Sequence, residues 1–202
     1  MDNGSDFDEI LKLVIIGDSG VGKSNYLYRF VEGEFCLVHE ATVGFDYKSK
    51  ISYLPNAKKK VKFQIWDTAG QEKYMSINKS LFQRVQGIIL MYDISCEKSF
   101  NNLDKWMSMI NQLANGTPLI LIGNKIDLEN KRKISTEKGE QFANYHNIDF
   151  FESSGLSGVN VEESFIFLGE QIFRINKNNN EAGGNDIDIS KDTTYKKTKK
   201  CC

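Results

Sequence analysis

The sequence predicts an α/β fold, a three-layer domain with a six-stranded, mostly parallel sheet and helices on both faces. Three observations carry that expectation. Short apolar runs alternate along the chain with segments of helical periodicity. Two of the runs, Gly87–Asp93 and residues 119–123, are apolar almost throughout, which suits parallel strands covered on both faces. Two further runs, 48–53 and 61–66, flank a polar turn over 55–60 and read as neighbouring strands.

Taken in order, residues 11–16 are a short apolar stretch ending at Gly17, a buried strand. Residues 25–31 read as a helix. In the second strand of the pair, Val61, Phe63 and Ile65 alternate with Lys62 and Gln64, the period of a half-buried strand. Between the two buried runs, residues 99–113 have helical spacing through Phe100, Leu103, Trp106, Met107, Ile110 and Leu113. Ser135 can cap a helix reaching about Tyr145, and residues 149–151 make a last short strand. Asn160 with Glu163 three residues on resembles a capping box, opening a helix whose apolar stripe is Val161, Phe165, Leu168, Ile172 and Ile175. The periodicity then stops. Residues 176–200 are polar and rich in Asn and Lys, so they are expected to be disordered. This divides the chain into a folded domain, 8–176, and a variable tail, 177–202. Function in such a fold is expected at the C-terminal ends of the parallel strands.

Composition narrows the partners. A length of 202 residues fits one domain and a tail. Net charge is -1, so no overall field favours nucleic acid. From Lys177 onward, however, six Lys face four acids, and four of those Lys crowd positions 196, 197, 199 and 200. The cysteines Cys36, Cys96, Cys201 and Cys202 are too few for a disulfide framework, which suits a reducing cytosolic compartment. The N-terminal residues are acidic where a secretory signal is basic. The apolar stretch 13–16 is far short of the ~20 residues of a membrane span, so membrane association would need a surface device.

Residues Gly17, Asp18, Ser19, Gly20, Val21, Gly22, Lys23 and Ser24 fit the pattern G-x-x-x-x-G-K-S between a strand and a helix. Glycines let the backbone wrap phosphates with N–H groups pointing inward, and the helix N-terminus adds positive potential. Lys23 is expected to reach the β- and γ-phosphates and Ser24 to ligate Mg²⁺, with Asn25 next in line. The pattern does not separate GTP from ATP. The segment Asn124, Lys125, Ile126, Asp127 follows the fifth strand. Guanine presents an N1–H and an exocyclic amine, and the Asp127 carboxylate can accept from both; adenine would leave that charge unpaired. Asn124 can tie this loop to the phosphate loop, and the Lys125 stem can cover the base.

The ordered set GDSGVGKS, a loop threonine, WDTAGQE, NKID and a late Ser-rich loop resembles the Ras superfamily of small GTPases over residues 10–175. The resemblance implies a P-loop GTPase domain that binds GTP or GDP with Mg²⁺. It implies roles residue by residue. Ser154, Gly155 and Leu156 match the loop whose backbone meets the guanine oxygen, although Leu156 replaces the usual lysine. Phe35 matches the aromatic beside the base. Asp67 resembles the magnesium carboxylate, and Thr42 the threonine that closes on Mg²⁺ when a γ-phosphate is present. Gly70 matches the glycine whose N–H meets that phosphate, and Gln71 the residue that orients the attacking water. Hydrolysis is then slow without an activating protein, since no arginine stands out as a built-in finger.

Within the superfamily, Trp66 before DTAGQ, the run Val43, Gly44, Phe45, Asp46, Tyr47, and the terminal Cys201 and Cys202 resemble the Rab proteins. That implies an effector surface over residues 43–47, Trp66 and Leu81. It implies double geranylgeranylation at the two cysteines, with the lysines adding attraction to an anionic leaflet. It further implies an exchange factor, an activating protein, a GDP-dissociation inhibitor, a prenylation escort and effectors. The chain would be a monomer that recruits effectors in vesicle traffic, on the cytoplasmic face of an intracellular or plasma membrane, with a cytosolic pool. Residues 81–85 read LFQRV where Rabs usually have YYRGA, and the turn at 55–60 is about two residues longer than usual. A GTP-locked scaffold with little hydrolysis is the competing reading, and a P-loop kinase or ATPase a third.

Overall fold

The computed structural model describes residues 6–36, 45–68, 82 and 84–183. Strand β1 (Glu9–Gly17) leads through the phosphate loop into helix α1 (Lys23–Glu32). Strands β2 (Phe45–Leu54) and β3 (Lys59–Thr68) follow, then β4 (Gly87–Asp93). Helices α2 (Glu97–Asn101) and α3 (Leu103–Leu113) lead to β5 (Leu119–Asn124), and a 3-10 turn (Ile126–Lys131) to α4 (Thr136–His146). Strand β6 (Asp149–Ser153) and helix α5 (Val161–Gly183) complete the domain. The six strands form one sheet in the order β2-β3-β1-β4-β5-β6. The β2–β3 pair is antiparallel, with Tyr47 opposite Trp66; all other neighbours are parallel. The expected architecture therefore stands.

Alternation of side chains puts a separate core on each face. On one, Leu11, Leu13, Ile15, Phe63 and Ile65 pack beneath α1 and α5, where Phe30 stacks on Phe165 with ring centroids 3.8 Å apart. On the other, Val14, Ile16, Ile88, Leu90 and Leu121 pack beneath α3 and α4. Every residue of β4 and β5 is buried, which explains their unbroken apolar sequence. Ser135 caps α4 as expected, its side chain accepting from the Lys138 N–H.

Four expectations are corrected. The hairpin strands run longer than 48–53 and 61–66, because their antiparallel ladder continues at both ends, from Phe45 opposite Thr68 to Leu54 opposite Lys59; at Lys60 the Asp8 N–H donates to the carbonyl and the Asp8 carboxylate accepts from the N–H. The expected helix over 99–113 is two helices, divided at Asn102, whose side chain is engaged elsewhere (below). Asn160 lies at φ 57° rather than in extended backbone, and its Nδ2 donates to the Glu152 carbonyl at 2.7 Å. It is a turn residue fixed to β6 and not half of a capping box. Finally, α5 continues to Gly183 across residues expected to be disordered. Residues 176–182 contain no Pro or Gly, and the helix ends at a Gly pair. Among the described residues, no helix is long and apolar enough to cross a membrane.

Candidate nucleotide site

The C-terminal ends of β1, β3, β5 and β6 bring four loops to one edge of the sheet. The loop after β1 needs its glycines for room. At Gly17 an added Cβ would lie 2.2 Å from the Met91 carbonyl oxygen. Gly22 adopts φ 97°, and a Cβ there would lie 2.6 Å from Asn124 Nδ2. Lys23 opens α1 at 5% exposure, its Nζ donating to the carbonyls of Gly17 (2.9 Å) and Asp18 (2.8 Å). Burial lowers its pKa to about 8, against a partial upward pull from Asp67 and Asp18.

The next residue, Ser24, donates its hydroxyl to Asp67 Oδ2 at the end of β3. Asp67 is 1% exposed. A serine hydroxyl beside a buried carboxylate is a hard oxygen pair of the kind Mg²⁺ takes alongside phosphate oxygens and water. Among the described residues no cluster of three or more His, Cys, Asp or Glu offers an all-protein cage. The donor set therefore fits Mg²⁺ carried in with a phosphate.

The loop after β5 is joined to the phosphate loop by side chains. Asn124 Nδ2 donates to the Val21 carbonyl at 2.8 Å, and Asn124 Oδ1 accepts from the Gly155 N–H at 3.2 Å. One amide thus ties three loops together. Lys125, at φ 71°, donates to the Gly20 carbonyl at 2.6 Å and pairs with Asp93 at 2.7 Å. Asp127 is exposed, and its Oδ1 accepts from the Ser154 hydroxyl. Ser154 is itself fully buried, so the contact fixes the carboxylate against a rigid support. The Gly155 N–H, expected to meet a base oxygen, donates here to Asn124 Oδ1, which places it at the junction of the two base loops.

Two arginines outside the expected set hold this corner. Arg29 of α1 donates Nε to the Gly155 carbonyl (3.0 Å) and an Nη to the Leu156 carbonyl (2.6 Å). Leu156, where the family has lysine, is 46% exposed, so the backbone here is held from α1. Arg132 pairs with Glu152 at 2.5 Å, and Thr136 donates to the same carboxylate at 3.0 Å. Sequence patterns give no sign of either arginine, because Arg29 acts on a loop more than a hundred residues away and Arg132 on a carboxylate of β6 that no motif pairs with it.

Ser19 is exposed, and Asn25 and Phe35 are half-buried. Tyr47 (46% exposed) and Trp66 pair across the hairpin with ring centroids 5.6 Å apart, and Trp66 packs at the edge of the core beneath α3 and α4. Phe45 and Asp46 belong to β2. Thr42, Val43, Gly44, Gly70, Gln71, Leu81, Cys201 and Cys202 lie outside the described residues.

Comparison with known proteins agrees with this geometry. The model of the Ras family matches residues 12–174. The chain is similar to Ras-related protein Rab-15 of Rattus norvegicus, 44% identical over 172 residues covering 85% of this chain and 80% of that protein. It is similar also to Ras-related protein Rab-10 of Diplobatis ommata, 42% identical with 97% of each chain covered. Ras-related protein Rab-13 of Bos taurus is 41% identical over 96% of this chain and 97% of its own length. The chain therefore belongs to the Ras family as a Rab-type small GTPase, a Mg²⁺-dependent switch that binds GTP and GDP, hydrolyses GTP and acts in vesicle traffic.

Proposed function

We propose that residues 17–25 hold the phosphates of GTP and that Asn124, Lys125, Asp127 and the Ser154–Gly155–Leu156 backbone read its guanine. The Asn124 amide carries this reading, since it locks the phosphate loop and both base loops into one rigid edge. The Asp127 carboxylate accepts from the two guanine donors, and the base itself supplies the burial that makes mispairing costly. Phe35 lies beside the base. Ser24, Asp67 and Thr42 hold Mg²⁺, which neutralises phosphate charge. Titration calorimetry with Mg²⁺ tests the assignment: GDP and GTP bind, ATP does not, and a chain that ignores all three overturns it.

In hydrolysis, Gln71 orients a water against the γ-phosphorus. The new bond forms from the water oxygen as the bond to the β–γ bridging oxygen breaks, giving GDP and inorganic phosphate. Lys23 and the loop N–H groups receive the charge that develops on the phosphate oxygens. Loss of the γ-phosphate frees Thr42 and Gly70, and the effector surface around residues 43–47, Trp66 and Leu81 changes shape. Gln71→Leu is expected to slow single-turnover hydrolysis by at least about tenfold while leaving GTP affinity intact. Unchanged turnover in that variant would remove Gln71 from the mechanism.

Rab proteins as a class work with exchange factors, activating proteins, GDP-dissociation inhibitors and effectors, and associate peripherally with membranes. For this chain we propose a G domain over 8–176, with α5 extending beyond it as the base of a tail, 177–202, lipidated at Cys201 and Cys202. Two lipid chains anchor stably where one binds marginally, and the lysines at 196, 197, 199 and 200 add attraction to anionic lipid. The anchored face is the cytoplasmic one, with a prenylation escort and inhibitor maintaining a cytosolic pool. Changing both cysteines to Ser is expected to move the protein wholly into the soluble fraction of fractionated cells. Continued sedimentation with membranes would refute the anchor.

A further inference from the structure

The phosphate loop carries a carboxylate, Asp18, in the midst of the segment that is to receive phosphates. Its own carbonyl is one of the two acceptors of Lys23 Nζ. A negative charge at such a place repels the ligand unless something holds and compensates it. Two side chains do so. Asn102 Nδ2 donates to Asp18 Oδ2 at 2.6 Å, and Trp106 Nε1 donates to Asp18 Oδ1 at 2.9 Å. Both donors are buried, at 9% and 6% exposure. They stand four residues apart across the start of α3, so they lie on one face and meet one carboxylate. The division of the helix pair falls at Asn102.

We propose that Asn102 and Trp106 are positioning residues for nucleotide retention: by engaging both oxygens of Asp18 they hold its charge on α3 and fix the phosphate loop around Lys23. The inference rests on the reading of residues 17–25 as the phosphate cradle. It goes beyond that reading by making a helix outside the loop motifs a determinant of nucleotide release. Charge-assisted hydrogen bonds are the strong ones, and a carboxylate stripped of both donors would turn to the loop or to water.

The test is release of a fluorescent GDP from the full chain with Mg²⁺, chased by excess GDP. Trp106→Phe keeps an aromatic ring and removes the N–H; Asn102→Ala removes the other donor. Together they are expected to speed release by about tenfold or more. In an Asp18→Ala background the same pair should leave the rate within about twofold of Asp18→Ala alone, since no charge remains to be held. Equal acceleration in both backgrounds would mean that only packing was lost, and would overturn the proposal; so would no acceleration in either. If the double variant does not fold, Trp106→Phe alone across the two backgrounds decides in the same way, with a smaller acceleration. Failure of the unsubstituted chain to load the fluorescent GDP would instead overturn the cradle reading, and this inference with it.

Discussion

Asp127→Asn is expected to weaken GTP binding by roughly a thousandfold and to transfer the preference to xanthosine triphosphate. A carboxylate offers two acceptors to the two donors on the guanine edge. An amide offers one acceptor and one donor, so its NH₂ faces the guanine amine and both groups lose their partners. Xanthine carries a carbonyl in place of that amine, and the amide then matches it atom for atom. The surrounding structure favours a clean exchange. The Ser154 hydroxyl that donates to Asp127 Oδ1 can donate equally to the amide oxygen. Asn124 and Lys125 keep their bonds to Val21 and Gly20, so the phosphate end of the site is untouched. Competition titrations with GTP, XTP and ATP check the result. Undiminished GTP affinity would mean that Asp127 does not read the base.

How much of this was legible in sequence depends on the reach of each interaction. The phosphate loop is a local device: eight consecutive residues make the turn, supply the lysine and open the helix, so spacing alone reveals it. Asp127 is legible for a related reason, since it follows a buried strand at fixed distance and guanine needs a carboxylate. The supports of these motifs are not local. Asn102 and Trp106 reach Asp18 across more than eighty residues, Arg29 reaches Gly155 and Leu156 across more than a hundred. In sequence, Trp106 is one more residue of an apolar stripe and Arg29 a charged residue on a helix. Periodicity has a matching blind spot. The stripe through Phe100, Leu103 and Met107 passes over the break at Asn102 because both helices press on the same core. The stripe of α5 ends at Ile175 while the helix runs on to Gly183, because apolar spacing records what a helix packs against and not how far it extends.

Lys23 should make nucleotide affinity depend on pH in a direction opposite to the stability of the nucleotide-free protein. Burial lowers its pKa from 10.5 to about 8. Between those values the unfolded chain binds more protons than the folded one, so the nucleotide-free protein gains stability as pH rises from about 8 towards 10.5. Phosphate oxygens reverse the balance. They favour the charged amine and draw its pKa back up, so above pH 8 binding takes up a proton and affinity falls with rising pH, by at most about tenfold per unit. Lys23→Met keeps an unbranched side chain of similar length and removes the charge. Two of the three Lys23 N–H donors meet the Gly17 and Asp18 carbonyls, and one charge-assisted hydrogen bond to phosphate, worth about 1.5–3 kcal/mol, sets an expected loss of roughly one to two powers of ten in Mg²⁺–GDP affinity. The variant's remaining affinity should be flat over the pH range in which the parent declines, which separates Lys23 from every other group titrating there. Calorimetry from pH 7 to about 9.5, in paired buffers of different ionisation enthalpy, measures both the decline and the proton taken up. A parent protein with constant affinity and no proton uptake across that range would show that Lys23 stays charged in its buried seat, and that the two carbonyls of Gly17 and Asp18 suffice to keep it so.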